Sequence, residues 1–356
     1  MKSFAIFIGL FGVVYSASLY INETRDNPLA SCLTNPCVVV DGVGKIMGTR
    51  KETEFTNKNI YSYFSIPYGK PTGGSKRFAP PEMADKINDA GTFERFDGTY
   101  LTYLTGVLNN LCPQAGISLK ESFPVAFTKG AADSIMTDEE KEIMAKNAED
   151  LETRAMAGSE DCLTLAVHTP YSPNQLEDGD YKSLPVMFFI HGGAFYMGGY
   201  IGHGPKVLLE NEVILVEVQY RLGILGFMCL DHPEAAGNMG LMDQSLALEW
   251  TKMHIADFGG NPDEITVFGE SAGAASASYH MLSPMSSSNF NRVIAQSGSA
   301  LAGWAFDLEP EFHAKQIANR AGCPTDSIDG MVQCMKTLEA RTIVDAHTAY
   351  IVRQIM

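Results

Sequence analysis

The segment Ile265-Thr-Val-Phe-Gly-Glu-Ser-Ala-Gly273 constrains this chain more than any other. β-prone residues lead into G-x-S-x-G, and the helical run Ala272–Leu282 follows. A serine at the centre of such a strand–turn–helix junction sits on a sharp bend with strained backbone angles. Gly269 and Gly273 carry no Cβ, so strand and helix can close on each other there. The bend lifts the Ser271 hydroxyl clear of the sheet. It also aims N–H groups of the helix N-terminus, chiefly that of Ala272, at a reacting carbonyl oxygen. G-x-S-x-G by itself recurs by chance, and the plain alternative is a Gly-rich strand–helix turn. The correct flanking elements make Ser271 a candidate nucleophile.

A second piece lies upstream. His191-Gly192-Gly193-Ala194-Phe195 directly follows the strand-like run Pro185–Ile190. Consecutive small residues after a strand leave N–H groups free to face an anion, which is the other half of an oxyanion hole. Alone it could be a tight β–α turn. Both motifs in this order, about 80 residues apart, are much harder to obtain by chance.

The surrounding pattern predicts the fold class. Pro185–Ile190, Val213–Val218, Ile265–Phe268 and Val293–Ala295 are short, apolar and rich in β-branched residues. Between two of them, Gly240–Ile255 places Met242, Leu246, Trp250 and Met253 on one face of a helix. Strands alternating with helices predict a mostly parallel central sheet covered by helices. Residues 17–80, with the runs Cys37–Val40 and Tyr61–Ile66 broken by Gly and Pro, predict a small N-terminal antiparallel region. Thr137-Asp138-Glu139-Glu140 opens a charged stretch through Arg154. A capping threonine with acids on the first turn predicts an exposed acidic helix, in a surface insertion spanning about 119–158.

Composition narrows the function classes. With 356 residues and 45% hydrophobic content, the chain can bury a sizeable core. Acidic residues outnumber basic ones 42 to 26, for a net charge of −16. Such a surface repels phosphate backbones, so no nucleic-acid partner is expected. Lys2 precedes the apolar run Phe4–Tyr15, and Val14 and Ser16 are small residues before a cut. This predicts a signal peptide over 1–16, too short to span a bilayer, and a secreted, extracellular protein. No other apolar run reaches ~18 residues, so no membrane span is expected. Asn22-Glu23-Thr24 makes Asn22 a candidate glycosylation site. Export makes disulfides the default expectation for the seven cysteines.

With these residues in view, the chain resembles the type-B carboxylesterase and cholinesterase family of α/β-hydrolases. Phe258 through Gly273 is similar to the family's serine signature throughout. Ser159-Glu160-Asp161-Cys162-Leu163-Thr164-Leu165 is similar to its second signature, with Ala166 in place of the usual small polar residue. Tyr220–Gly223 through Gly226-Phe227, Gly237-Asn238 through Asp243-Gln244, and Gln296–Ser299 also fit. The resemblance runs from about Cys37 to the C-terminus and implies an α/β-hydrolase fold whose C-terminal part is missing from this chain. It implies Ser271 as nucleophile, with Gly193, Ala194 and Ala272 as oxyanion N–H donors and Glu270 as a secondary charge beside them. It implies two internal ion pairs, Arg77 with Glu160 and Arg221 with Asp243. It implies two disulfides, Cys112–Cys162 and Cys323–Cys334. Cys32 and Cys37 could close a small extra loop, and Cys229 is left over as a buried free thiol or one lacking its partner. Trp304 falls where the family lines its acyl side, or is plain core. The implied substrate is a small-molecule ester, and no metal or cofactor is called for.

A serine hydroxyl needs a histidine base oriented by an acid. In the family these follow the serine by about 125 and about 240 residues, beyond Met356. Of the histidines after Ser271, His280 is expected to pack or face solvent, and His313 and His347 lie in polar helical stretches. The expectation is therefore the N-terminal two-thirds of an esterase, or a truncated product, with weak hydrolysis of its own. The alternative is a non-enzymatic cholinesterase-like adhesion or binding protein, which the intact Ser271 disfavours. A choline-specific enzyme is disfavoured as well. The family's choline platform is a tryptophan shortly before the Ser-Glu-Asp-Cys run, and Glu152–Gly158 contains none.

Overall fold

The computed structural model describes residues 36–85, 111–115, 156–200 and 204–355. The expected signal peptide 1–16, Asn22 and nearly all of the acidic insertion at about 119–158 lie outside the described residues. β1 (Cys37–Val40) and β2 (Gly44–Met47) pair as an antiparallel hairpin. β3 (Thr49–Glu52) and β4 (Asn59–Pro67) are also antiparallel, but they extend the main sheet instead of standing apart. A short antiparallel pair, β5 (Gln114–Ala115) with β6 (Met156–Ala157), sits separately.

The main sheet is completed by β7 (Thr164–Thr169), β8 (Leu184–Ile190), β9 (Ile214–Val218), β10 (Gly260–Glu270) and β11 (Arg292–Gln296). Its order is β11-β10-β8-β9-β7-β4-β3. β9, β8, β10 and β11 are parallel neighbours; β7 opposes β9, and β4 opposes β7. β4 therefore points with the parallel group, so five of the seven strands share a direction. The expected sheet is present.

Central strands buried on both faces read as near-continuous apolar runs, which makes β8, β9 and the Ile265–Phe268 part of β10 legible; the polar first half of β10, from Gly260 to Glu264, is not. Val186, Phe188, Ile190, Val216, Val218, Ile265 and Val267 join Trp250 and Phe258 in one cluster. Phe189 and Leu215, next along those strands, belong to another with Ile60 and Leu209. β11 is an edge strand and is mostly exposed.

The helices are α1 (Pro173–Asp178), α2 (Gly223–Phe227), α3 (Met239–His254), α4 (Ala272–Leu282), α5 (Pro310–Arg320), α6 (Ile328–Thr337) and α7 (Ala340–Ile355). α3 and α4 lie on the sheet, while α2, α5, α6 and α7 share a separate apolar cluster around Ile317, Met331 and Ile343. None among the described residues is long and apolar enough to cross a membrane. The predicted face of α3 needs correction. Met253 is 51% exposed, and Met242 and Leu246 are only half-buried. Trp250 is buried as expected, but the rest of the buried face carries Asp243, Gln244, Ala247, Leu248 and Thr251. Apolar periodicity missed it because its polar members are buried with partners. Asp243 holds Arg221, and Gln244 Oε1 accepts from His280.

Both implied ion pairs form. Arg221 Nε and Nη2 donate to the two Asp243 carboxylate oxygens at 2.8 and 2.7 Å. Arg77 does the same to Glu160 at 2.6 Å and also donates to the carbonyls of Met335 and Leu338. Cys112–Cys162 and Cys323–Cys334 are disulfide-bonded. Cys37 is bonded too, to a partner outside the described residues. Cys229 is free and half-buried, not fully buried as expected.

His280, on α4, is 2% exposed, with Nε2 donating to Gln244 Oε1 (2.9 Å) and Nδ1 paired with the Ser286 hydroxyl (2.8 Å). Burial lowers its pKa from the ordinary 6.5 to about 4, and burial does the same to His347. The unfolded chain therefore takes up protons between pH 6.5 and about 4 that the folded chain refuses. Stability is full above pH 6.5 and falls as pH drops toward 4, with His280 contributing on the order of 3 kcal/mol. Urea midpoints measured across this range should fall with pH in the wild type and fall less in His280→Gln. Parallel curves would refute the assignment.

Candidate active site

Ser271 caps α4 with φ 56° and ψ −117°, a conformation few non-glycine residues adopt. Several contacts hold it there. Its N–H donates to Gln296 O on β11 (2.9 Å), and its carbonyl accepts from Ala275 N–H (3.0 Å). Gly269 and Gly273 are required by space. A Cβ on Gly273 would lie 2.0 Å from Ile190 O, and one on Gly269 would lie 2.4 Å from the Gly273 carbonyl carbon. Ser271 is half-buried and Glu270 is exposed, so the bend faces solvent instead of the packed core.

The glycine turn after β8 lies against this bend. A Cβ on Gly192 would meet the Ser271 Cβ at 3.2 Å and Glu270 O at 2.6 Å. Gly193, Ala194 and Phe195 have successive φ values of 114°, 54° and 63°. Two adjacent non-glycine residues in the left-handed region carry strain that the surroundings must impose. Tyr196 N–H and Met197 N–H both donate to Gly193 O (3.1 and 3.0 Å). Gly223 N–H donates to Phe195 O (2.7 Å). The Tyr220 hydroxyl donates to His191 O (2.9 Å), and the two rings stack with centroids 4.4 Å apart. Among the described residues, the N–H groups of Gly193, Ala194 and Ala272 find no acceptor. The arrangement offers a nucleophilic hydroxyl beside a strained turn with unspent donors.

No described histidine serves Ser271. His168 pairs with Ser62 and Glu217, His191 with Gly192 O, His232 with Asp329, His280 with Gln244 and Ser286, and His313 with Asp307. His347 Nδ1 accepts from Ile224 N–H, and His254 lies against Trp250. The set on His168 is a serine–histidine–carboxylate chain that the sequence reading did not find. Ser62 lies 2.8 Å from Nδ1, and Glu217 Oε2 lies 2.9 Å from Nε2. At 0–2% exposure it has no access to a substrate, so it is a buried polar brace across β4, β7 and β9. Its members are far apart in sequence and meet only through strand register, which no local motif reveals.

Gln114 is a second residue that no local motif marks. Its side chain accepts from Gly198 N–H (2.8 Å) and donates to Gly198 O (2.9 Å), at the end of the glycine turn. Its place two residues after Cys112 was the one available signal. Trp304 is 52% exposed, not plain core, and Leu301, Phe306 and Leu308 beside it are exposed as well. A cavity of about 560 Å³ lies between Cys229–Asp231 and Leu308–Phe312, and neither Ser271 nor the glycine turn lines it.

The family model described as the carboxylesterase family matches residues 34–355. Among curated relatives, Esterase E4 of Myzus persicae is 33% identical over 85% of this chain and 47% of its own length. Acylcarnitine hydrolase of Mus musculus is 31% identical over 92% of this chain and 50% of its own. Bile salt-activated lipase of Mus musculus is 42% identical over 55% of this chain and 34% of its own. The chain thus spans about half, or less, of the length of these relatives.

Proposed function

This chain belongs to the carboxylesterase family, and on that footing we propose that it hydrolyses carboxylic esters through an acyl-enzyme on Ser271. Ser271 Oγ adds to the ester carbonyl. The oxyanion that forms is held by the N–H groups of Gly193, Ala194 and Ala272. The alcohol leaves, and water then cleaves the acyl group from Ser271. Glu270 places a negative charge beside the bend. The observation that carries this reading is the left-handed Ser271, held in contact with Gly192 and unpaired with any described side chain. The base that takes the Ser271 proton belongs, on this reading, outside the described residues, with its orienting acid. Gly298 lies on the Ser271 carbonyl, and the chain beyond it carries Leu301, Trp304, Phe306 and Leu308 in the open. Secretion is part of the proposal, supported by the two internal disulfides, which persist in oxidising compartments.

A fluorophosphonate tests the nucleophile directly. Incubation followed by peptide mass spectrometry should place one adduct on the peptide containing Ser271. An adduct on another serine, or none where ester hydrolysis is measurable, would overturn the proposal.

A further inference from the structure

We infer that Gln114 is a positioning residue for the oxyanion turn, an inference that rests on the Ser271 reading. The turn from Gly192 to Gly198 is strained at Ala194 and Phe195, so its shape must be imposed from both ends. The Tyr220 hydroxyl fixes His191 O at the start, and Gly223 N–H fixes Phe195 O in the middle. At the far end, Gly198 has φ 118°, and a Cβ there would come 2.4 Å from Gly192 O and 2.6 Å from the His191 ring. Gly198 is thus folded back on the residues that begin the turn.

The Gln114 amide satisfies both backbone groups of Gly198, and its Nε2 also donates to Cys112 O (3.2 Å). The side chain is 3% exposed, so water does not replace these bonds. Gln114 is itself anchored. Cys112 is disulfide-bonded to Cys162, the Leu111 carbonyl accepts from Ser159 N–H (2.8 Å), and Gln114 pairs with Ala157. The clamp therefore ties the turn to the chain segment before β7. It touches no reacting atom. It acts by fixing where the Gly193 and Ala194 N–H groups point, and a misplacement of ~1 Å in such a group can cost about 10²-fold in rate.

Gln114→Met keeps the volume and removes all three side-chain hydrogen bonds, and Gln114→Ala removes the side chain. The full chain is titrated with a fluorophosphonate to count active sites, and p-nitrophenyl butyrate hydrolysis is expressed per titrated site. Both variants should lose about 10² in kcat with KM within about threefold. Their affinity for a trifluoromethyl ketone, which needs the oxyanion donors, should fall in parallel. A purely structural role would lower the yield of titratable sites and leave kcat per site unchanged, which would overturn the inference. A loss confined to KM would overturn it too. Hydrolysis that needs Ser271 and ignores Gln114 would remove this inference alone. Hydrolysis surviving Ser271→Ala would remove the Ser271 reading and this inference together.

Discussion

Ser271→Ala should abolish ester turnover while leaving the fold in place. In full-length protein carrying the base and its acid, the expected fall is on the order of 10⁶, because a serine nucleophile and its base act as a unit and loss of either removes nearly the whole effect. The substitution deletes one oxygen from a half-buried side chain that accepts and donates no hydrogen bond among the described residues. Its backbone contacts to Gln296 O and Ala275 N–H do not depend on the hydroxyl. Stability should therefore change by about 1 kcal/mol or less. Alanine must still adopt φ 56°, as Ala194 already does at φ 54° in the neighbouring turn. The measurement pairs initial rates on an aryl ester with urea unfolding of the same preparation. Hydrolysis retained above the buffer rate would refute the nucleophile. Loss of hydrolysis together with loss of folding would point to a structural role for Ser271 that the contacts do not support.

The bend and the parallel strands were legible because local chemistry dictates them. Ala272–Leu282 was read as a helix with its observed limits, and Leu184–Ile190, Ile214–Val218 and Arg292–Gln296 were placed within a residue or so. Strands covered on both faces favour apolar side chains at most positions, and that preference is written in near-consecutive letters. β7 shows the opposite case. Thr164, His168 and Thr169 are buried but polar, so this inner strand shows an apolar run of only three residues, Leu165–Val167. Its partners on β4 and β9 lie about 100 and 50 residues away, and nothing local announces them. The same reason hid the core face of α3. The candidate site divides along this line. The Ser271 bend and the glycine turn are local and were found. The Gln114 clamp spans 84 residues and was not.

Asp243→Asn should be among the most destabilising single changes in the molecule. Arg221 and Asp243 are 3% and 0% exposed, and Asp243 receives three hydrogen bonds from Arg221: Nε, Nη2 and the backbone N–H. Asparagine keeps one acceptor oxygen for Arg221 but removes the countercharge and turns an NH2 donor toward a guanidinium donor, leaving a buried cation with that oxygen and Ala79 O as acceptors. Breaking such a pair from one side costs about 3–5 kcal/mol, against a total of roughly 5–15 for a folded domain. Glu160→Gln is the internal comparison. Glu160 is 19% exposed at its side chain, and Arg77 keeps the carbonyls of Met335 and Leu338. Water and these acceptors limit its loss to about 2 kcal/mol. Urea midpoints should thus rank wild type, Glu160→Gln, Asp243→Asn, with the slope unchanged. Equal losses would show that burial does not set the difference. Arg221 follows Tyr220, whose hydroxyl holds His191 O, and precedes Gly223, whose N–H holds Phe195 O. The ion pair therefore fixes the stretch of chain that shapes the glycine turn. In Asp243→Asn, ester turnover should fail at the same urea concentration as the fold, because the turn rests on the stretch of chain that the pair holds.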